Sequence, residues 1–203
     1  MISLARDRPT PFEKLVESMD AAGVDKAAIV QASTAYGHDN SYVAAAIRAY
    51  PKRFTGVFSV DVLASDAPAK MKSWLDLSFS GMRLFTTGST MPGQSTWFHD
   101  PRTFPAWEYA GKLGIPVCMQ MTPQGFPQLR DLMDRFPGVK IILDHLARPQ
   151  LTDGPPYSAD QEFFDLARYP NIYLKITPLN VSPKEWGKAT PESFFGKLAQ
   201  TFG

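Results

Sequence analysis

Residues 115–145 read IPVCMQMTPQGFPQLRDLMDRFPGVKIILDH, and this stretch decides the fold. It opens with an apolar run, Ile115 to Met121, and closes with another, Val139 to Asp144. Short apolar runs without polar alternation are the pattern of strands buried on both faces. Between them, Pro127 to Phe136 carries Leu129, Leu132, Met133 and Phe136 on one side of a helix. Two buried strands joined by a helix make a unit whose strands are parallel.

The same unit recurs in both directions. Towards the N-terminus, Thr10-Pro11-Phe12-Glu13 reads as a capping box with proline at the first helical position, and Gly23 as the helix end. A strand starts at Ala27. A helix capped by Asp39 or Asn40 carries Tyr42, Val43, Ala46 and Ile47, and Phe54 to Val60 is a second strand. A helix over about 67–75 leads to a third strand containing Gly81-Met82-Arg83-Leu84-Phe85, and the helix from Pro105 to Leu113 ends at Gly114. Towards the C-terminus come a helix from Asp160 to Ala167, a strand from Asn171 to Ile176 and a last helix opened by Thr190-Pro191. Strand starts near 27, 54, 79, 115, 139 and 171 leave room for a crossover helix each time. No GxGxxG or GxxxxGK[ST] is present, so a barrel is favoured and a nucleotide-binding doubly wound sheet is the weaker alternative. An eight-unit barrel takes about 250 residues. The expectation is therefore an α/β fold of the (β/α)8 TIM-barrel type, incomplete, with six parallel strands and seven helices. It forms one domain over residues 1–203 and lacks the first and last barrel strands.

Composition narrows the function. The 203 residues are 44% hydrophobic and 20% charged, a globular balance. Lys plus Arg number 21 against 20 Asp plus Glu, so a net charge of +1 gives no electrostatic reason to expect nucleic acid or an anionic membrane. Mean hydropathy is −0.20, and no apolar run approaches the roughly 18 residues of a membrane span. A single cysteine, Cys118, excludes an internal disulfide and makes the reducing cytoplasm the expected location. Met1 to Leu15 carries no apolar segment of signal-peptide type.

In a barrel, chemistry belongs at the C-terminal ends of the strands. All three histidines, His38, His99 and His145, map there. His145 closes an apolar strand, where it is either a metal ligand or a strand-end histidine bonded to its neighbours. His38 and His99 lie in polar loops and read as surface residues. Arg83 sits inside an apolar strand, and a buried guanidinium needs an anion. The anion is a substrate carboxylate or an internal carboxylate such as Asp61; the strand-end position favours substrate. Gln120 is a polar residue late in an apolar strand and reads as a substrate contact or, almost equally, as part of a polar barrel layer; Lys175 is a further such residue, for which an outward-facing, helix-packed position is an equal alternative. Tyr36 and Gln31 in the first loop can donate hydrogen bonds to a ligand, and Arg148 offers a second anion contact. Cys118 lies mid-strand and reads as inert.

Several segments together resemble the amidohydrolase-related family, metal-dependent TIM-barrel hydrolases that include 2-pyrone-4,6-dicarboxylate hydrolase-like lactonases. They are Val30-Gln31-Ala32-Ser33 with Tyr36-Gly37-His38-Asp39-Asn40, Gly81-Met82-Arg83-Leu84, Trp107 to Val117, Leu143-Asp144-His145 and Asn171-Ile172-Tyr173-Leu174-Lys175. The resemblance implies a His-x-His on the first barrel strand, a histidine at the position of His145, an aspartate on the last strand, and a divalent metal such as zinc or manganese. It implies that His145 is catalytic and a metal ligand. Arg83 matches an arginine that contacts a substrate carboxylate, and Gln120 stands where many relatives carry another histidine. No His-x-His occurs in this sequence. The expected activity is hydrolysis of a carboxylate-bearing lactone or amide. A non-catalytic truncated barrel and a decarboxylase of an aromatic or muconate-type acid are the alternatives. Unpaired edges near Ala27 and Asn171 predict self-association.

Overall fold

A computed structural model describes residues 11–86, 97, 100–177, 180 and 187–203. The chain divides into two compact units, one ending at Arg83 and the other beginning at Leu84.

The first unit runs α1 (Phe12–Ala21), β1 (Ala27–Val30), α2 (Ser33–Tyr36), α3 (Ser41–Ala49), β2 (Phe54–Phe58), α4 (Ala67–Leu75) and β3 (Phe79–Phe85), whose last two residues belong to the second unit. Strands pair in chain order and in parallel: Ala27 faces Phe54 and Val30 faces Val57, while Phe58 faces Met82. Gly23, at φ +66, ends α1 as sequence predicts. Its N–H donates to Asp20 O (3.2 Å) and Val24 N–H donates to Met19 O (2.8 Å), so two terminal carbonyls are satisfied by one left-handed residue. Arg53 then ties this helix end to β2, donating to Asp20 Oδ1 (2.8 Å), Val24 O (2.9 Å) and Asp25 O (2.6 Å). At Gly56 a side chain would collide with the Phe79 ring and Ile47, so glycine lets α3 and β3 close over β2. Val43, Ala46, Ile47, Phe58, Met71 and Phe79 form the core there.

The second unit continues with α5 (Phe104–Leu113), β4 (Val117–Gln120), α6 (Phe126–Arg135), β5 (Ile141–Leu143), α7 (Gln161–Phe164), β6 (Ile172–Leu174) and α8 (Pro191–Phe202). Val117 faces Ile141 and Ile141 faces Ile172, again in parallel. Thr86 N–H donates to Gln120 O (3.0 Å), linking the chain just past β3 to the end of β4. Trp97 stacks on Trp107 at 6.0 Å and donates its indole N–H to Phe85 O (2.8 Å). At the start of α8, Thr190 and Ser193 make a capping box: Thr190 Oγ1 accepts from Ser193 N–H and Ser193 Oγ from Thr190 N–H.

Four local expectations are corrected. Helix α1 starts at Phe12 with Pro11 as the extended flanking residue (ψ 155), one position later than the box predicts; Thr10 lies outside the described residues. The single helix expected over 160–167 is broken into a short α7 between two 3₁₀ turns, Ser158–Asp160 and Asp165–Arg168. Burial of Phe163, Phe164 and Leu166, each on a different side of so short a segment, competes with a regular helix there. Eight helices stand among the described residues, not seven, because the loop after β1 makes a single turn, α2. The strands end one or two residues earlier than their apolar runs suggest, apart from β3.

Candidate functional site

In the first unit, the chain past β1 and β2 carries a polar cluster. His38 Nδ1 lies 2.8 Å from Ser59 Oγ. Asn40, fully buried, donates to His38 O and Ser59 O (3.0 Å each) and accepts from Ser59 N–H (2.8 Å). Asn40 therefore occupies the cap position of α3 without capping it. Asp39 takes the capping role by accepting from Ser41 N–H (3.0 Å). Gln31 is buried and donates its amide to Asp39 O. Tyr36 is exposed, and Arg83 is half-buried in β3. Burial holds the His38 imidazole below its ordinary pKa; the Asp61 carboxylate opposes this and the Lys70 ammonium adds to it.

In the second unit, β5 stops at Leu143, and His145 stands two residues beyond it. His145, Leu146, Ala147 and Arg148 have φ of +54, +56, +54 and +59. Four consecutive left-handed residues without a glycine cost about 1–2 kcal/mol each, so surrounding bonds must hold the turn. His145 Nδ1 lies 2.9 Å from Thr177 Oγ1, just past β6. Asn180 Nδ2 donates to His145 O (3.1 Å), and Asn180 Oδ1 accepts from Thr177 N–H and from Thr177 Oγ1 (2.9 Å each). Asp144, whose side chain is fully buried, accepts from Lys175 Nζ at 2.7 Å. Lys175 is thereby assigned to a partly buried ion pair and not to the helix layer. Gln120 is buried at the last position of β4, and Arg148 is exposed. His99 lies outside the described residues. A cleft of about 580 Å³ lies elsewhere, in the helix layer against Phe104, Gln128 and Arg135.

Asn40, Ser59, Thr177 and Asn180 are the polar residues that the sequence reading passed over as site residues. The signal was present: Ser59 and Thr177 lie one and three positions past their strands, and Asn180 and Asn40 lie further along the chain past β6 and β1, the region to which the strand-end rule assigns the histidines. Among the described residues, no group of three or more His, Cys, Asp or Glu side chains comes together to hold a metal ion. A catalytic zinc takes three protein ligands, and His145 beside an Asp144 already bound to Lys175 does not supply them. The described residues do not fit such a group.

Parallel strands, crossover helices and polar residues gathered past the strand ends define a TIM-barrel-type α/β protein covering part of a barrel. Residues 4–203 match the amidohydrolase family, and the chain belongs to it. It is 28% identical over 133 residues to an L-fucono-1,5-lactonase of Burkholderia ambifaria, a match covering 65% of this chain and 43% of that protein. The chain thus spans less than half the length of that curated relative. A zinc-bound amidohydrolase of Burkholderia multivorans superposes with a TM-score of 0.74 at 15% identity, over 97% of this chain and 71% of that one. A Pseudomonas putida protein provisionally assigned as a 2-pyrone-4,6-dicarboxylic acid hydrolase gives 0.70 at 21% identity, over 98% and 71%. At these identities the solved structures establish the fold alone. Among the described residues, no helix is long and apolar enough to cross a membrane.

Proposed function

We propose that the chain serves hydrolysis of a small lactone bearing a carboxylate, with His145 as the catalytic base. One observation carries this reading: an imidazole raised past the end of β5 on a left-handed turn and held through Nδ1 by Thr177. Such a ring can take a proton from water at Nε2 while the water oxygen attacks the lactone carbonyl. The tetrahedral adduct then collapses, the ring C–O bond breaks, and the imidazolium returns its proton to the departing alkoxide. Lactone and water give the hydroxy acid, with no net proton change at the histidine. Arg148, three residues on and exposed, supplies a cation for the substrate carboxylate, and Gln120 a polar contact at the end of β4. In the first unit we propose Arg83 as a carboxylate contact and Tyr36 and Gln31 as hydrogen-bond donors. The cytoplasm is the proposed location. Self-association through the edges of β1 and β6 is a proposal that light scattering tests.

The lactonase relative supports the choice of substrate class. The experiment is turnover of L-fucono-1,5-lactone and of 2-pyrone-4,6-dicarboxylate by the full chain, with and without added zinc or manganese. His145→Gln is expected to lower turnover about 100-fold or more. Turnover unchanged in that variant, or none by the unaltered chain under any of these conditions, overturns the reading.

A further inference from the structure

We propose that Thr177 and Asn180 are positioning residues that hold His145 in its Nδ1–H form, leaving Nε2 with the lone pair. The inference rests on His145 being the functional imidazole, but its geometry stands apart from the reaction. A backbone N–H only donates, so the atom of Asn180 facing Thr177 N at 2.9 Å is the amide oxygen. That fixes the amide orientation and directs its NH2 towards His145 O, as observed at 3.1 Å. The Thr177 hydroxyl lies 2.9 Å from the same Asn180 oxygen, which can only accept, so the single hydroxyl proton points there. Towards His145 Nδ1, at 2.9 Å, the hydroxyl presents lone pairs alone. Nδ1 must therefore donate, and a neutral ring with its proton on Nδ1 has none on Nε2. Asn180 bonds both to the ring's partner and to the ring's own carbonyl, so one side chain sets the protonated nitrogen and braces the strained turn that carries the ring.

His38 provides the contrast within the same chain. Among the described residues, Asn40 accepts only from the Ser59 backbone N–H, and none of them directs the Ser59 hydroxyl proton.

The test is long-range ¹H–¹⁵N NMR of the full chain labelled at histidine, recorded without added metal about two pH units above the ordinary imidazole pKa of about 6.5. With three histidines in the sequence, His145→Gln identifies the signal. The unaltered chain is expected to show His145 protonated at Nδ1. Thr177→Val is expected to shift the proton to Nε2 and Thr177→Ser to keep it on Nδ1. Turnover is expected to fall about 10–100-fold in the valine variant, mainly in kcat, and to recover in the serine variant. An Nε2–H ring in the unaltered chain overturns the inference without any variant having to fold, and so does a ring pattern unmoved by Thr177→Val. A ring protonated at Nδ1 in a protein whose His145→Gln variant keeps full turnover upholds the positioning and removes the lactonase reading.

Discussion

The two units each place a histidine, a hydroxyl and an asparagine together just past their strands, yet the three residues do different work. At His38 the asparagine spends both amide donors on carbonyls, those of His38 and Ser59, and so clamps the loop after β1 to the end of β2. At His145 the asparagine oxygen takes two donors from Thr177, the N–H and the hydroxyl, and so orders the hydroxyl that faces the ring. The first arrangement secures backbone. The second selects a protonation form of an imidazole. The difference lies in one hydrogen bond, the hydroxyl proton given to the asparagine, and residue types alone do not reveal it.

The largest effect expected from this comparison is on stability in the first unit. Asn40→Ala leaves Ser59 N–H, Ser59 O and His38 O without partners where no water reaches Asn40. At about 1–3 kcal/mol per orphaned group after partial relaxation, the loss is about 3 kcal/mol. Asn180→Ala is expected to cost about 2 kcal/mol, because its surroundings, including the exposed Ile176, admit water more easily. Urea unfolding of both variants measures the difference. A larger loss at Asn180 would break the assignment of clamp to the first cluster.

A smaller effect tests whether full satisfaction is what makes a buried polar group tolerable. Asp160 is buried in the second unit, its Oδ2 without a hydrogen-bond partner. Burial pushes its pKa up to about 6; the Gln150 N–H opposes this, and the Asp153 carboxylate adds to the rise. A carboxyl with a folded value above its unfolded 3.8 binds its proton more tightly when folded. Its contribution to stability is present below pH 3.8 and is lost as pH rises through about 6. Asp160→Asn keeps the acceptor for Gln150 and removes the charge. It is expected to add about 2–3 kcal/mol at pH 7.5 and little at pH 4. Equal urea midpoints for variant and unaltered chain at pH 7.5 would show that the buried carboxylate is compensated after all.

Much of the fold was legible because the apolar runs and their punctuation obey one rule repeated six times. β1 and β2 start where their runs start, at Ala27 and Phe54, β4 and β5 start two residues into theirs and β6 one, and Gly23 and Gly114 end their helices in left-handed conformations. Strand ends were less legible. An apolar run continues into the turn after β5 because Leu146 and Ala147 are buried there, although the backbone has already left the sheet. The site was legible as a list of candidates at the strand ends, not as a set of bonds. His145 stands out because it follows Ile141-Ile142-Leu143, whereas Thr177 and Asn180 are ordinary loop residues until the turn after β5 brings His145 to them. Lys175 shows the same limit: its partner, Asp144, is 31 residues away and becomes its neighbour only through the parallel pairing of β5 with β6.

The smallest effect concerns how each region turns its chain. The loop after β1 uses a glycine, Gly37, for its positive φ of +58, whereas the loop after β5 uses four residues that all carry side chains. Leu146 and Ala147 are buried, so glycine at either would remove packing along with strain. Arg148 is exposed, and its side chain offers no such compensation. Arg148→Gly relieves a left-handed penalty of about 1–2 kcal/mol and gives back about half of it through the freedom glycine gains when unfolded. The expected gain is about 0.5–1 kcal/mol in urea unfolding. If Arg148 meets the substrate carboxylate, the same variant raises KM for a carboxylate-bearing lactone and leaves KM for a neutral one unchanged. A protein that gains stability and also binds both lactones as before would assign the strain to the orientation of His145 alone. A protein that gains no stability would mean that the turn is held without cost at its last residue, and that the contrast with Gly37 is one of residue type only.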